Sequence, residues 1–324
     1  MMLSIAGLRA IDALATHGSI TAAASALGYT ASAVSQQITR LERDVRQPLV
    51  ERQGRRATLT LAGRILAESA SRVIIELESM SAELQAQAET VTGELKVAAF
   101  PTAARGIVPE AMEALLTAWP SIGLRLVEVD SHQAVTLVAR GSADLGVAHD
   151  WLGVPLELPD GLQARHLGND VSDVLVHESH PLVGAGSVEF EDLYDETWLY
   201  EPGSVAHDFL LHAYRRHPEA LQNGHIISEY ATQIQCVGAG LGVALVPRMG
   251  RGALPDSVRA LTVRAALVRR VYGVWRNSVG RRPVVSAALG VLESACARAE
   301  LGEKPAQPAA KSAASRGSTR KPAR

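Results

Sequence analysis

A run of hydroxyl, amide and guanidinium side chains lies in the segment TASAVSQQITRLER, residues 30–43. Apolar residues recur there at steps of three and four, which predicts one buried helical face formed by Ala31, Val34, Ile38 and Leu41. The polar residues can donate and accept hydrogen bonds and include two cations: Thr30, Ser32, Ser35, Gln36, Arg40 and Arg43. Such groups suit base edges and phosphates. The segment is therefore a candidate DNA-contacting helix, with an ordinary solvated face as the alternative.

Two further helices are predicted to precede this one and to position it. Residues 3–16 have helical apolar spacing that His17 and Gly18 would end, and Ser19 can cap a second, alanine-rich helix. Thr30, a favoured N-cap residue, then starts the third helix after a short turn. This order predicts a helix-turn-helix, whose second helix enters the major groove by its N-terminal end. We expect Ser32, Ser35 and Gln36 at base edges, and Arg40 and Arg43 nearer the DNA backbone.

The segment ERQGRRATLT, residues 51–60, predicts a short two-stranded wing after the third helix. Arg52, Arg55 and Arg56 lie near its tip and would contact phosphates or the minor groove, with plain surface charge as the alternative. Residues 1–60 carry seven basic and four acidic residues, whereas residues 61–302 carry nineteen basic and twenty-nine acidic residues. This asymmetry is expected when one end of a protein meets a polyanion.

From Leu61 to about Val91 the apolar residues follow a heptad-like pattern. The pattern predicts a long helix that pairs with a second helix. The candidate dimerisation residues of this seam are Leu66, Val73, Leu77, Met80 and Leu84. Packing against its own chain is the alternative, but a helix of about 30 residues spans about 45 Å and would overhang a small domain.

Residues 18–63 resemble the DNA-binding domain of the LysR-type bacterial transcriptional regulators. The matching elements, in order, are Gly-Ser, Ala-Ala, Ser-Ala-Val-Ser, Gln-Ile, Leu-Glu, Pro-Leu, Glu-Arg and Leu-Thr-x-Ala-Gly. Two residues depart from the family pattern: Ala31 stands where Gln is frequent, and Val50 where Phe is usual. The first departure removes a potential base contact, so the operator sequence does not follow from the resemblance. The resemblance implies that the long helix pairs two subunits in a homodimer or tetramer.

After Gly93, strand-like segments alternate with helical ones, which is typical of a parallel α/β sheet. Two such units joined by crossing strands would place a cleft between them, and open α/β sheets bind ligands at the carboxyl ends of their strands. The segments WPSIGLRLVE and VGAGLGVALVP resemble the effector domain of the same family, which is similar to periplasmic solute-binding proteins.

Residues near the predicted strand ends are the candidates for effector binding: Thr102, His149, Asp150, Trp151, Tyr200, Glu201, Ser204 and Tyr230. Thr102 would lie at a helix N-terminus, where free N–H groups favour an anionic group. The other residues offer carboxylates and aromatic rings rather than arginines. This set suits a ligand with a carboxylate at one end and an amine or other partly cationic group at the other. In the alternative, Asp150 and Glu201 bond neighbouring backbone and Trp151 serves packing.

An enzyme would need a reactive set of side chains, and the sequence offers none that we recognise. Lys96 is the only lysine before residue 304, and no Gly-rich phosphate loop or H-E-x-x-H motif occurs. The segment HESH, residues 177–180, is predicted to be a surface loop rather than a metal site. Cys236 and Cys296 have neither a disulfide pattern nor a metal-ligand spacing. We expect no catalysis, no cofactor and no metal.

The sequence thus predicts an N-terminal all-α winged helix-turn-helix with a long linker helix, followed by a C-terminal α/β module of two subdomains that resembles periplasmic binding proteins. The predicted parts are a DNA-binding domain over 1–60, a linker and dimerisation helix over 61–91, an effector-binding domain over 92–302 and a disordered basic tail over 303–324.

The predicted function is sequence-specific transcriptional regulation in response to a small molecule. A solute-binding receptor without DNA function is the alternative, but it would leave the first ninety residues unexplained and would need export. The sequence has no apparent signal segment or membrane span, so we expect a cytoplasmic protein. The expected partners are double-stranded DNA, a second copy of the chain and a small-molecule effector, and RNA polymerase is a further candidate.

Overall fold

The N-terminal part is a three-helix unit with a two-stranded wing. The computed structural model describes residues 3–53, 56–87, 90–151, 154–264 and 267–299. The elements of this part are α1 (Ile5–His17), α2 (Ile20–Leu27), α3 (Ala31–Val45), β1 (Val50–Gln53) and β2 (Arg56–Leu59). Each helix is preceded by a hydroxyl residue whose side chain accepts the backbone N–H of the third residue of the helix: Ser4, Ser19 and Thr30. The predicted winged helix-turn-helix is confirmed.

The buried face of α3 anchors this unit. Val34, Ile38 and Leu41 are buried as their spacing predicts, whereas Ala31, in the first turn, is exposed. Glu42 on the same helix accepts hydrogen bonds from the backbone N–H groups of Leu49, at 2.8 Å, and Val50, at 3.1 Å. These two bonds attach the wing to α3, because they satisfy backbone donors at the start of β1.

The long helix α4 (Leu61–Gln87) has two different sides. It is about 40 Å long. One side packs Ala67, Ala70 and Ile74 against its own chain. Val73, Met80 and Leu84 are 44%, 61% and 70% exposed, and Leu77 is half-buried. Leu66, which we predicted to belong to the same seam, instead packs with the buried residues of the N-terminal unit, because it lies toward α1.

The first lobe of the α/β part alternates strands and helices. Its elements are β3 (Gly93–Ala99), α5 (Pro101–Gly106), α6 (Val108–Ala118), β4 (Ile122–Glu128), α7 (Ser131–Ala139) and β5 (Leu145–Trp151). The strand β3 pairs in parallel with both β4 and β5. The core of this lobe centres on the apolar faces of β3, α6 and a C-terminal helix, α10 (Pro283–Arg298).

The second lobe is built around a second core that includes Trp198 and Leu245. Its elements are β7 (Ser187–Val188), β8 (Trp198–Tyr200), α8 (Val205–Ala213), β9 (His225–Ile226), α9 (Tyr230–Gly238), β10 (Val243–Pro247) and β11 (Val258–Val263), with 3-10 helices at Phe190–Leu193 and Pro218–Leu221. In this lobe β8 pairs in parallel with β9 and β10.

Two strands cross between the lobes, β6 (Leu162–His177) and β12 (Val268–Arg276). They pair antiparallel, and the sheet order is β4-β3-β5-β12-β6-β10-β8-β9, with β11 against β6 and β7. The predicted two-lobed α/β module is therefore confirmed. Within the described ranges, no helix is long and apolar enough to cross a membrane.

The linker helix is joined to the first lobe by a partly buried ion pair. The Glu78 carboxylate of α4 accepts from the Arg276 guanidinium of β12 at 2.7 Å. Arg276 also donates to the backbone carbonyls of Val138 and Ala143. Nearby, the half-buried carboxyl of Asp12 on α1 lies close to Ser71 and the Arg140 guanidinium. Burial raises the pKa of Asp12 to about 6, although Arg140 and a hydrogen bond from Ser71 oppose that rise.

We expect Asp12→Asn to stabilise the protein near neutral pH. Because the folded-state pKa of Asp12 is raised from 3.8 to about 6, its contribution to folding is full below 3.8 and is lost as the pH rises through 6. A rise of that size corresponds to at most about 3 kcal/mol. Urea unfolding at fixed protein concentration should show a free-energy gain that is absent near pH 4 and largest above pH 7. A gain that does not change with pH, or an equal gain from the exposed control Glu68→Gln, would contradict this assignment.

Candidate DNA-binding helix and effector cleft

The polar face of α3 is accessible along most of its length. Thr30, Ser32, Gln36, Arg40 and Arg43 are exposed, and Ser35 is half-exposed. The Thr30 hydroxyl accepts from the Ala33 backbone N–H at 3.2 Å and lies 2.9 Å from the Ser32 hydroxyl. Thr30 is therefore engaged in capping the helix. Gln36, Arg40 and Arg43 are the longest exposed polar side chains on this face.

The wing is described only in part. The pairing of Arg52 with Ala57 and of Gln53 with Arg56 places Arg52 and Arg56 toward the turn between β1 and β2. Their side chains, and Arg55 as a whole, lie outside the described residues. Their contact with DNA stays a prediction.

A cavity of about 440 Å³ lies between the two lobes, where the sequence predicted an effector cleft. Five of the eight predicted residues line it: Thr102, His149, Glu201, Ser204 and Tyr230. The cavity is also lined by Arg105, Glu128, Asp130, Gln133, Ser228, Glu229 and Arg269. Tyr200 lines a smaller recess of about 20 Å³ beside it. Two side-chain contacts join the lobes: the Arg105–Glu229 ion pair at 3.7 Å, and His132 Nε2 with Asp208 Oδ2 at 3.5 Å.

Asp150 and Trp151 do not line the cavity, so their predicted positions were wrong. Asp150 is buried and accepts from Arg270 Nε at 3.0 Å. Trp151 is buried in the second-lobe core and stacks on Phe209, with ring centroids 4.7 Å apart. Successive side chains of a strand point to opposite faces, so Asp150 points away from the face on which His149 lines the cavity. Trp151 is held instead by the second-lobe core. The sequence pattern places both residues at the end of the strand, which does not decide which side chains face the cavity.

Arg269 is the cleft residue that the sequence analysis missed. Its side chain is 1% exposed and donates through Nε to the Asp170 carboxylate at 2.7 Å and through Nη2 to the Thr102 hydroxyl. The guanidinium also lies 4.9 Å from the ring centroid of Phe100. An arginine within the apolar run that forms β12 was the available signal, since a buried cation needs a partner. The expectation of a cleft without arginines was wrong.

The floor of the cleft is formed by the polar side chains of Arg269, His149 and Tyr230. Arg269 is paired with Asp170, and the other two groups are neutral. Burial, reinforced by the Arg269 charge, keeps the pKa of His149 well below its usual value, so the imidazole is neutral at pH 7. Burial raises the pKa of Tyr230, so the phenol keeps its proton. The expected anion site at the start of α5 has little support, because this helix has only six residues and begins at Pro101, which has no N–H.

Comparisons with known proteins agree with this architecture. Residues 5–64 match the family model described as a bacterial regulatory helix-turn-helix protein of the lysR family, and residues 88–297 match the LysR substrate binding domain. A probable hydrogen peroxide-inducible genes activator of Mycobacterium leprae is 29% identical over 286 residues, covering 86% of this chain and 89% of that protein.

Two further proteins extend the comparison. The HTH-type transcriptional activator IlvY of Salmonella typhimurium is 30% identical over 245 residues, which cover 73% of this chain and 79% of that protein. The structure of a full-length OxyR variant from Pseudomonas aeruginosa has a TM-score of 0.68 at 21% identity, covering 90% of this chain and 98% of that one. This last likeness concerns the fold.

We expect Arg269→Met to destabilise the protein by about 3–5 kcal/mol, because it leaves the Asp170 carboxylate buried without its cation. Removing both charges with Asp170→Leu and Arg269→Met should recover most of that loss. Urea unfolding of the two single variants and the double variant checks this. If the double variant is destabilised by the sum of the single effects, the two side chains do not act as a pair.

Proposed function

The chain belongs to the LysR family of bacterial transcriptional regulators, and we propose that it reads its operator with α3 and responds to a small molecule in the cleft between its lobes. The observation that carries the proposal is the exposed polar face of α3, which is the second helix of the helix-turn-helix pair. The family match makes the chain a DNA-binding regulator, and the receptor alternative is set aside because it leaves residues 5–64 without a role.

We propose the division of the chain that its sequence suggests: DNA binding by residues 1–60, subunit pairing by 61–91 and effector binding by 92–302. The proposed basic tail, 303–324, lies outside the described residues. We also propose that the protein has no catalytic activity and works in the cytoplasm, where its DNA would be found. Both proposals are supported by relatives that are named as transcriptional regulators.

Within α3 we propose a division of labour. Ser32, Ser35 and Gln36 lie in the N-terminal half of the helix and would face base edges in the major groove. Arg40 and Arg43 lie one and two turns further along and would contact phosphates, as would the wing arginines. Phosphate contacts position the protein and base contacts select the sequence.

Pairing of two subunits is proposed to occur along Val73, Leu77, Met80 and Leu84. The exposure of three of these apolar side chains on one helix supports this, since a second helix would remove them from water. A paired α4 would set the spacing of the two α3 helices on the operator. A ligand that changed the placement of the lobes would alter that spacing through the Glu78–Arg276 contact.

Peroxide sensing is a second candidate, because the Mycobacterium leprae relative is named for peroxide-inducible genes. Reaction with peroxide requires a thiolate. Cys296 is buried in α10, and burial raises the pKa of its thiol to about 12. Cys236 is partly buried and packs against a second apolar cluster of the second lobe that includes Leu175 and Val237. The two cysteines of this chain therefore give oxidation little support, and the cleft supports a bound molecule instead.

We expect Gln36→Ala to weaken binding to the preferred operator by about 1–3 kcal/mol and to relax its sequence preference, because a base-edge contact contributes about that discrimination. Sites selected from genomic fragments and their mismatched versions would be compared by mobility shift at fixed salt. Arg43→Ala is the matched control and should weaken all sequences alike. Unchanged affinity and preference in Gln36→Ala would contradict this placement of α3.

We expect Met80→Asp to weaken subunit association at least a hundredfold. An unpaired carboxylate at the centre of an apolar seam costs roughly 3 kcal/mol or more. Since Met80 is 61% exposed within one chain, folding should be preserved. Sedimentation of the full chain across a concentration series measures the change, with Leu211→Asp, on exposed α8 surface, as control. A Met80→Asp protein that associates as tightly as the parent would remove α4 from the proposed interface.

A further inference from the structure

We propose that the effector is a small organic cation with a terminal amine, bound through the carboxylates of the cleft and the side-chain amide oxygen of Gln233. The inference rests on the proposed function of the cleft as the effector site. The sequence predicts a ligand with a carboxylate at one end and an amine at the other. We retain the amine and propose that the ligand has no carboxylate.

The charges that line the cavity leave an excess of carboxylates. Arg269 is matched by Asp170 at 2.7 Å, and Arg105 lies 3.7 Å from Glu229. Both arginines of the lining are thus paired. Glu128, Asp130 and Glu201 also line the cavity, and within the described ranges no cation lies at ion-pair distance from any of them.

Three longer helices begin at the cleft, and two of them, α7 and α9, are capped by carboxylates, whereas α8 is capped by the Ser204 hydroxyl. Asp130 caps α7 by accepting from the His132 N–H at 2.9 Å, and Glu229 caps α9 by accepting from the Thr232 N–H at 3.2 Å. These carboxylates occupy backbone donors that an anionic ligand would otherwise use. A carboxylate or phosphate ligand would enter a cleft of its own sign, whereas a cation would be attracted.

A buried acceptor gives independent support. Gln233 is 3% exposed, and its Nε2 donates to the Ile227 carbonyl at 2.8 Å. That carbonyl can only accept, so the amide nitrogen must face it, and the orientation of the side chain is fixed. Oε1 then points away from Ile227, is buried and has no hydrogen-bond partner among the described residues. A buried acceptor without a hydrogen-bond partner lowers stability by about 1–3 kcal/mol. A ligand group that donates a hydrogen bond to this oxygen would therefore bind favourably.

The recess that Gln233 lines has the size of one donor group. Its volume is about 20 Å³, enough for a single group the size of a water molecule or an ammonium. Glu201, Ser204, Ser228 and Tyr230 line both the recess and the main cavity, so the two spaces adjoin. A chain in the cavity could therefore place its terminal amine in the recess, with the Glu201 carboxylate and the Tyr230 ring beside it.

Chain-matched probes test the proposal on the full-length protein. The probes are 1,5-diaminopentane, glutarate and 1,5-pentanediol, each titrated at constant ionic strength and followed by calorimetry and thermal unfolding. We expect the diamine to bind and to raise Tm, and glutarate and the diol to bind at least tenfold more weakly. Binding of glutarate in preference to the diamine, or no binding of the diamine, would overturn the proposal.

Two variants separate the proposed contacts from general attraction. Glu201→Gln removes the charge of an exposed side chain, and Gln233→Met removes the acceptor oxygen while keeping a similar side-chain volume. Each variant should bind the diamine at least tenfold more weakly than the parent chain. Glu113→Gln, an exposed acid on α6 outside the cleft, should bind it like the parent chain. If both cleft variants keep full affinity, the amine does not occupy the recess. Operator binding by the unaltered chain is measured separately, so failure there would reject the proposed function without altering the probe result.

Discussion

Arg269 carries a full charge in the interior of the α/β part, and the arrangement of the crossing strands depends on how that charge is satisfied. Its guanidinium on β12 bonds Asp170 on the adjacent β6 and Thr102 at the start of α5, while Asp170 also accepts the Met249 backbone N–H at 3.0 Å. An unpaired buried ion is costly, so these four segments must keep a common geometry. The network thereby fixes the cleft floor at the point where the two lobes meet.

The same strand connects that floor to the linker helix. Arg269 and Arg276 are seven residues apart on β12, a separation of about 23 Å along the strand. One end of β12 bonds the cleft floor, and the other end bonds Glu78 of α4 while donating to two carbonyls of the first lobe. β12 is thus one extended strand with a buried arginine near each end, and it connects the cleft directly to α4. This gives a physical basis for coupling ligand binding to the placement of the DNA-binding unit.

Two contacts between charged or titratable side chains join the lobes at the cleft mouth. The pairs Arg105–Glu229 and His132–Asp208 are largely exposed and longer than 3.4 Å, so each contributes little to stability. Each lobe has its own hydrophobic core, but Trp151 at the end of β5 packs into the second-lobe core against Phe209, and the crossing strands join the lobes covalently. The relative placement of the lobes therefore depends on β6, β12, the Trp151 contact and what the cavity holds. A ligand that bridges Glu128 or Asp130 in one lobe and Glu201 in the other would add to these two weak contacts between the lobes.

Local patterns were sufficient for much of this protein. The steps of three and four residues and the cap at Thr30 determine α3, and the apolar heptads determine a long helix, because these features depend on near neighbours in the chain. Five of eight cleft residues were also found, since the ends of parallel strands converge in any open α/β sheet. Only the tertiary structure decided the rest. Asp150 and Trp151 were misplaced because their side chains are held by Arg270 on β12 and by Phe209 on α8, which are distant in sequence. Leu66 faces its own chain because α1 packs against α4. The charge of the cleft depends on the pair Arg269–Asp170, whose residues are ninety-nine positions apart in sequence and lie on adjacent strands.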